Sequence, residues 1–253
     1  MNSETSELKA RNFGDILGDT FRIYGRSFLR LVAIVAIVEV ILAVIVGIVA
    51  SLMLPTLTAE EFAVGPFILG MIVIFAAYIL LYPLMYGAVI HATSEQHFRP
   101  PGIGRAYGFA WRRIGALIGA TILVFLALFG MAITIIGIPF AIYFGVRWSF
   151  IWQAALLEGT GARGALSRSS ALVKGNWWRV FGIGLVLGII VGVISLILGL
   201  IPIVGSAIGA ILAMPITIVG ATLLYYDLRL KKEGYNLGVM AGEIGTSPGE
   251  SVV

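Results

Sequence analysis

Long apolar runs separated by short polar stretches dominate the chain. Each run is close to the roughly 20 residues with which a helix crosses ~30 Å of hydrocarbon. The runs are apolar on every face, whereas the strands of a membrane barrel alternate in polarity, so we expect helices, which satisfy their own backbone hydrogen bonds. The pattern predicts an all-α polytopic transmembrane bundle with six spans: 31–54, 64–90, 114–138, 139–157, 180–201 and 202–226.

The polar stretches ahead of the first, third and fifth spans are basic and aromatic, which predicts an interfacial amphipathic helix before each of three hairpins. The clearest is 12–28, where Asn12 and Asp15 have the spacing of an N-cap pair. The third copy covers 165–174 and is stopped by Gly175. The returning spans open with the prolines Pro66, Pro139 and Pro202.

The chain is predicted to form one membrane domain over residues 1–240, followed by a short polar tail, 241–253, that we expect to be disordered. Only 12% of the residues are charged, about half the usual share of a soluble domain, ~25%. This composition excludes a water-soluble fold.

Sixteen of the 17 Lys and Arg residues fall in alternate connections between the spans. The positive-inside rule then places both termini and the long loops on the cytoplasmic side of the membrane. Topology therefore explains the formal net charge of +4, and no support remains for nucleic acid as a partner. We expect the lipid bilayer, with anionic headgroups on the cytoplasmic side, to be the partner instead.

Seven residues near the predicted interface are candidates for headgroup contacts. Two interpretations stay open for them, specific lipid binding or ordinary anchoring. The candidates are Arg22, Arg26, Arg168, Lys174, Trp177, Trp178 and Arg179.

Three segments resemble a group of largely uncharacterised bacterial polytopic membrane proteins: FGDILGDTFRIYGRSFLR from Phe13, EGTGARGALSRSSALVKGNWWRVFG from Glu158, and TLLYYDLRLKKEGYN from Thr222. That group is similar to the membrane domain fused to some glycerophosphoryl diester phosphodiesterases. In the fused enzymes the chemistry belongs to a separate soluble domain, so the resemblance implies a membrane module without that activity.

The last of these segments supplies four signature candidates. Its aspartate and arginine are expected to cap the sixth helix at the headgroups, with catalysis as the alternative. The four are Tyr225, Tyr226, Asp227 and Arg229.

Glu39 and Arg147 are the two full charges well inside the predicted spans. At ~1.5 Å per residue they lie about 12 and 16 Å from the same membrane side. One hypothesis pairs them between the first and fourth helices, or lets them line a polar cavity there. The other leaves Glu39 protonated and lets Arg147 snorkel outward.

Small residues form rows that favour close helix packing, within one chain or between subunits of a homo-oligomer. These are Gly184, Gly188 and Gly192, with the pairs Gly115/Gly119 and Gly205/Gly209.

No catalytic, cofactor-binding or metal-binding motif is predicted. The cluster of His91, Glu95 and His97 lacks the ligand set that a metal requires. The sequence thus favours a non-enzymatic inner-membrane module or partner of envelope proteins. The alternative is a transporter or lipid-handling protein with a polar site between helices 1 and 4.

Overall fold

The computed structural model describes residues 12–58, 64–201, 204–234 and 237–245. Within these ranges all regular structure is helical, which confirms the all-α prediction. The helices in chain order are α1 Phe13–Arg26, α2 Phe28–Thr58, α3 Val64–Glu95, α4 Ile103–Arg112, α5 Ile114–Ala132, α6 Gly137–Arg147, α7 Ile151–Gln153 with a π-helical turn Ala154–Glu158, α8 Gly161–Val173, α9 Trp177–Gly199, α10 Gly205–Glu233 and α11 Leu237–Ile244.

Five of the described helices, α2, α3, α5, α9 and α10, are long and apolar enough to cross a membrane. A sixth span exists if α6 and the segment Ile151–Glu158, which are bent by 40°, count as one. The length and apolarity of these helices are compatible with a multi-pass membrane protein. Helices that follow one another in the chain pack together in the pairs α2 with α3, α5 with α6, and α9 with α10.

Two predicted span boundaries were wrong. The third span ends at Ala132 and the fourth begins at Gly137, because a tight turn separates them. In that turn the Gly137 N–H donates to the Thr134 hydroxyl over 3.1 Å. A Cβ at Gly137 would collide with the carbonyl oxygen of Met131, so the turn requires glycine.

The last span is also longer than predicted. Helix α10 continues to Glu233 and ends at Gly234, whose φ of +63° favours glycine. Asp227 and Arg229 therefore lie inside the helix and are buried, so the prediction that they cap it was wrong.

The fourth span breaks between α6 and α7, where Trp148–Phe150 form turns instead of helix. The Ser169 hydroxyl of α8 donates to the Arg147 carbonyl over 2.9 Å and accepts from the Phe150 N–H over 3.1 Å. One side chain thereby satisfies backbone groups on both sides of the break, where helical partners are missing.

The three short amphipathic helices α1, α4 and α8 each precede a pair of long helices in the chain. Helix α1 begins as predicted, with the Asn12 N–H donating to the Asp15 carboxylate over 2.8 Å. Two tyrosine hydroxyls fasten these helices to the bundle: Tyr24 donates to the Leu212 carbonyl over 2.8 Å, and Tyr107 to the Ile34 carbonyl over 2.6 Å.

The third short helix begins at Gly161, four residues before its predicted start, and ends at Val173. Gly175 follows with a φ of +82°, which confirms the predicted stop. At the far end of the chain, α11 extends to Ile244 and so enters the predicted disordered tail. The rest of that tail, 246–253, and Pro202 lie outside the described residues.

The core lies toward one end of the bundle, where the C-terminal parts of α3 and α10 are almost wholly buried. Large apolar side chains stay exposed on the rest of α2, α3, α5 and α9, as lipid contact allows. We call the first region the charged end. It holds the starts of α2, α5 and α9 and the ends of α3, α10 and the π-helical turn.

Candidate functional site: ion pairs at the charged end

Glu158, the last residue of the π-helical turn, is the centre of the largest group of polar contacts. Its two carboxylate oxygens accept from the Arg168 Nε over 2.9 and 2.6 Å, and one also accepts from the Tyr225 hydroxyl. The Arg229 Nε lies 3.8 Å from the same carboxylate. We call this set, with Glu233 and Glu243, the Glu158 cluster.

Arg168 joins two acids from different parts of the chain. Besides Glu158, its guanidinium contacts both carboxylate oxygens of Glu233, with Nη2 2.6 Å from Oε2. These hydrogen bonds to Glu233 and Glu158 raise the pKa of Arg168 above its ordinary value. The bidentate pair connects α8 to the last turn of α10.

Arg229 links the Glu158 cluster to α11, the last described helix. Its side chain is only 8% exposed, and Nη1 donates to both oxygens of Glu243, over 2.8 and 2.9 Å. Because charged groups are costly to bury without a partner, this contact holds α11 against the end of α10.

Asp227 lies within the buried part of α10 and forms a second ionic group. Its side chain is fully buried, with Arg179 of α9 at 2.8 Å and Lys231 at 3.1 Å. The neighbouring Tyr226 hydroxyl lies 2.7 Å from the Ser94 hydroxyl of α3. The signature residues therefore join α10 to α3, the π-helical turn, α9 and α11.

Glu95 forms a third ionic group at the end of α3. Its buried carboxylate accepts from the Arg99 Nε over 2.8 Å, the Arg105 Nε over 2.6 Å and the Gly102 N–H over 2.9 Å. These three contacts fix the loop between α3 and α4. The sequence analysis considered Glu95 only as a metal ligand. The nearby Arg99 and Arg105, four and ten residues later, were the signal that could have predicted these ion pairs.

His91, Glu95 and His97, for which the sequence predicts no metal site, make separate contacts. His97 Nδ1 lies 3.3 Å from the Ser94 carbonyl, and the His91 ring packs on Phe109 with ring centres 4.4 Å apart. Within the ranges that the structure describes, no group of three or more His, Asp, Glu or Cys residues is arranged to hold a metal ion.

Exposed cations surround these buried acids. Arg22 pairs with Asp19 at 2.9 Å, and Lys232 donates to two backbone carbonyls. Five further exposed cations form no ion pair within the described part of the chain. The five are Arg26, Arg30, Arg112, Arg163 and Lys174. The buried acids Glu95 and Asp227 are thus paired inside the fold, whereas these five cations face outward without an acid partner in the described ranges.

The two neighbouring tryptophans have different surroundings. Trp177 is half-buried, stacks on Phe181 with ring centres 5.1 Å apart, and donates from Nε1 to the Tyr143 carbonyl over 3.1 Å. Trp178 is 78% exposed. Of the seven predicted headgroup residues, Arg168 pairs with the half-buried Glu158 and Arg179 with the buried Asp227, while Arg26, Lys174 and Trp178 face outward.

The structure does not bring Glu39 and Arg147 together. Glu39 accepts a hydrogen bond from the Tyr82 hydroxyl of α3 over 3.2 Å. Arg147 ends α6 at the break in the fourth span, half-buried. No ion pair links the two, because the Glu39 carboxylate is directed at the second span.

The predicted glycine rows differ in their packing. A Cβ at Gly184, Gly188 or Gly192 would meet nothing within 4 Å, so this row is not packed within the chain. By contrast, a Cβ at Gly119 would lie 3.1 Å from that of Ala162. In the pair Gly205/Gly209, a Cβ at Gly205 would collide with the Leu198 carbonyl oxygen of α9, and one at Gly209 would lie 3.5 Å from the Ser195 Cα. Gly220, which no row included, also packs closely against α9, since its Cβ would lie 2.5 Å from Leu187 Cδ1.

In a comparison with known proteins, one family model matches part of the chain. Residues 102–226 match a family model described as a domain of unknown function (DUF7847). No curated protein matches the chain, and no solved structure does.

The matched range, just under half of the 253 residues, runs from the start of α4 to Tyr226. It includes Glu158, Arg168 and Arg179 but stops before Asp227 and Arg229. The similarity to the membrane domain of glycerophosphoryl diester phosphodiesterases stays a prediction.

Proposed function

We propose that the protein is a non-catalytic multi-pass module of the bacterial cytoplasmic membrane that binds anionic lipid headgroups and serves as a partner of envelope proteins. Its six spans form three hairpins, each preceded by an interfacial helix, and both termini lie in the cytoplasm. The observation that carries the proposal is the separation of charge at the charged end.

The separation has a direct physical meaning. Each buried acid is held by two or more cationic or hydrogen-bonding partners, so these acids serve the fold. The five exposed cations named above pair with no acid among the described residues, and they lie on α1, α4 and α8 or shortly after them. Phosphate-bearing lipid headgroups supply the missing negative charge, at about 1 kcal/mol per basic residue near the surface.

Lipid-dependent stability tests the headgroup contact. The protein is placed in nanodiscs of phosphatidylcholine with and without phosphatidylglycerol, and its thermal unfolding midpoint is measured. We expect phosphatidylglycerol to raise the midpoint at low salt and 0.5 M NaCl to reduce the gain, because salt screens exposed charges.

Replacing Arg26, Arg30, Arg112, Arg163 and Lys174 by Gln should abolish the gain. Arg22→Gln is the matched control, since Arg22 already pairs with Asp19. Equal midpoints for the wild type in both lipids, or a gain that persists in the five-residue variant, would contradict the proposal.

The orientation has its own test, which the absence of cysteine simplifies. Single cysteines are introduced as Ile135→Cys, in the turn between α5 and α6, and Ser167→Cys, on α8. A membrane-impermeant maleimide added to spheroplasts should label Ile135→Cys and leave Ser167→Cys unlabelled until the cells are lysed. The reverse order of labelling would overturn the proposed topology.

A further inference from the structure

A cavity of about 230 Å³ lies among α3, the break in the fourth span, α9 and α10. It is smaller than the ~300–1,000 Å³ of pockets that enclose whole ligands, so it fits one part of a ligand whose remainder extends outside. Its apolar wall includes Val180, Ile183, Leu187 and Leu224. The polar side chains in the same wall indicate which class of ligand fits.

Gln153 and Ser149 line this cavity with hydrogen-bonding capacity that the protein leaves unused. Gln153 is only 2% exposed, and its side-chain carbonyl oxygen accepts no hydrogen bond from any described residue. The buried Ser149 hydroxyl oxygen has no partner in that part of the chain either. Because buried polar atoms nearly always have a partner, these two point to one that comes from outside the chain.

Thr217 and Tyr86 add two more hydroxyls to the same wall. Other threonines of the bundle donate to the carbonyl four residues earlier, as Thr93 and Thr222 do over 2.8 and 2.7 Å. The Thr217 hydroxyl forms no such bond among the described residues, and the Tyr86 hydroxyl forms none there. By contrast, Trp152 beside them is satisfied, since its Nε1 donates to a threonine hydroxyl of α5 over 3.0 Å.

The break in the fourth span explains why this set exists. Ser149 lies in the break, and Gln153 is the last residue of α7, directly before the π-helical turn. Such π-helical turns occur often at functional sites. Because Ser169 already satisfies the Arg147 carbonyl and the Phe150 N–H, the side chains of Ser149 and Gln153 are not needed to repair the backbone.

The lining also limits the charge of the ligand. It contains no acid, lysine, arginine or histidine among the described residues. A phosphate or ammonium group placed there would lose its water without gaining a counter-charge. The arrangement instead suits neutral hydroxyl and carbonyl oxygens attached to alkyl chains.

We propose that this cavity binds the neutral head of an uncharged membrane lipid of the diacylglycerol class. The hydroxyl and ester carbonyls of the lipid bond to Gln153, Ser149 and Thr217, and its acyl chains leave past Gly184. That glycine lines the cavity, is exposed, and would have nothing within 4 Å of an added Cβ. This site goes beyond the proposed headgroup contacts. Those contacts involve other residues and require a negatively charged group, whereas this cavity favours an uncharged one.

Photolabelling tests the site with a defined probe. The protein is placed in phosphatidylcholine nanodiscs that contain a small fraction of diacylglycerol with a photoreactive group near the glycerol. Labelled protein is measured by intact mass, and the labelled peptides are mapped. We expect labels on peptides containing Trp152 or Thr217, competed by unlabelled dioleoylglycerol but not by hexadecane or phosphatidylglycerol.

Three variants sharpen the result. Gly184→Leu should reduce labelling about tenfold by filling the opening, whereas Gly188→Leu, one turn further along the exposed side of α9, should not. Gln153→Leu keeps the side-chain size and should weaken competition by dioleoylglycerol about fivefold, as expected for one lost hydrogen bond. Thermal unfolding of each variant shows that it is folded.

The proposal is overturned if Gly184→Leu and Gly188→Leu reduce labelling equally. It is also overturned if hexadecane competes as well as dioleoylglycerol, since the polar groups would then be irrelevant. Equal competition by phosphatidylglycerol would identify an ordinary phospholipid contact instead.

Discussion

The Arg229 guanidinium contacts both carboxylate oxygens of Glu243, with Nη1 2.8 and 2.9 Å from them. This pair joins the end of the last long helix to α11. We expect Arg229→Gln to raise amide hydrogen exchange across 237–245 about tenfold, equivalent to ~1.4 kcal/mol of local stability. Lys232→Gln is the control, because the Lys232 ammonium donates to the Ala171 and Lys174 carbonyls and not to α11. Unchanged exchange in Arg229→Gln would show that α11 is held by other contacts.

Ser169→Ala should destabilise the protein, because the break in the fourth span would lose the donor to Arg147 and the acceptor for Phe150. A buried backbone group without a partner costs about 1–3 kcal/mol. The measurement is the free energy of unfolding in detergent. Ser167→Ala, an exposed change on the same helix, should have almost no effect, and an equal loss in both variants would refute the role of Ser169.

Gln153→Leu should stabilise the ligand-free protein by about 1–3 kcal/mol, because it removes a buried amide whose oxygen has no partner in the described chain. The contrasting change is Thr121→Val, which removes the acceptor of the Trp152 indole and should destabilise the protein. Both are compared by unfolding after extensive delipidation. A loss of stability in Gln153→Leu would mean that the amide has a structural role.

Gly220→Ala should destabilise the contact between α10 and α9. The added methyl would lie 2.5 Å from Leu187 Cδ1 and 3.2 Å from the Thr20 hydroxyl, and overpacking of this kind costs about 1–3 kcal/mol. Gly188→Ala, which meets open space, should be neutral or slightly stabilising because alanine favours helix. Equal stability of the two variants would contradict the packing at Gly220.

Tyr107 gives a pH prediction. Burial raises its pKa from 10.0 to about 12. Because the folded state favours the protonated phenol, this contribution is intact below pH 10 and is lost as the pH rises from 10 to 12. Unfolding measured across that interval should show a steeper loss of stability in the wild type than in Tyr107→Phe. Parallel curves would remove Tyr107 as the cause.

The long helices could be predicted from hydrophobic length alone, because only helices bury such segments in lipid. The boundaries at Ala132 and Glu233 could not. The first depends on a turn that needs Gly137, and the second on long-range partners that let Asp227 and Arg229 stay buried within a helix. The apolar residues indicate which part of a helix can lie in lipid. The ion pairs of charged residues determine how far the helix continues beyond that part.

The candidate site was predicted in part. Arg168, Arg179 and the four signature residues were selected from the sequence, but as separate headgroup and capping groups. Their convergence depends on contacts between residues far apart in the chain, 67 positions for Tyr225 and Glu158 and 132 for Tyr226 and Ser94. The Glu39–Arg147 hypothesis failed for a related reason: equal depth in the membrane does not determine which side of the bundle a residue faces.

The break between α6 and α7 also bears on biosynthesis. The backbone groups at Arg147 and Phe150 find their partner in Ser169, about twenty residues further along the chain. While the ribosome is still translating that stretch, the fourth segment has no internal means of completing its bend. We therefore expect its final conformation to form only after α8 has emerged, so that the middle of the protein matures late although it is made early.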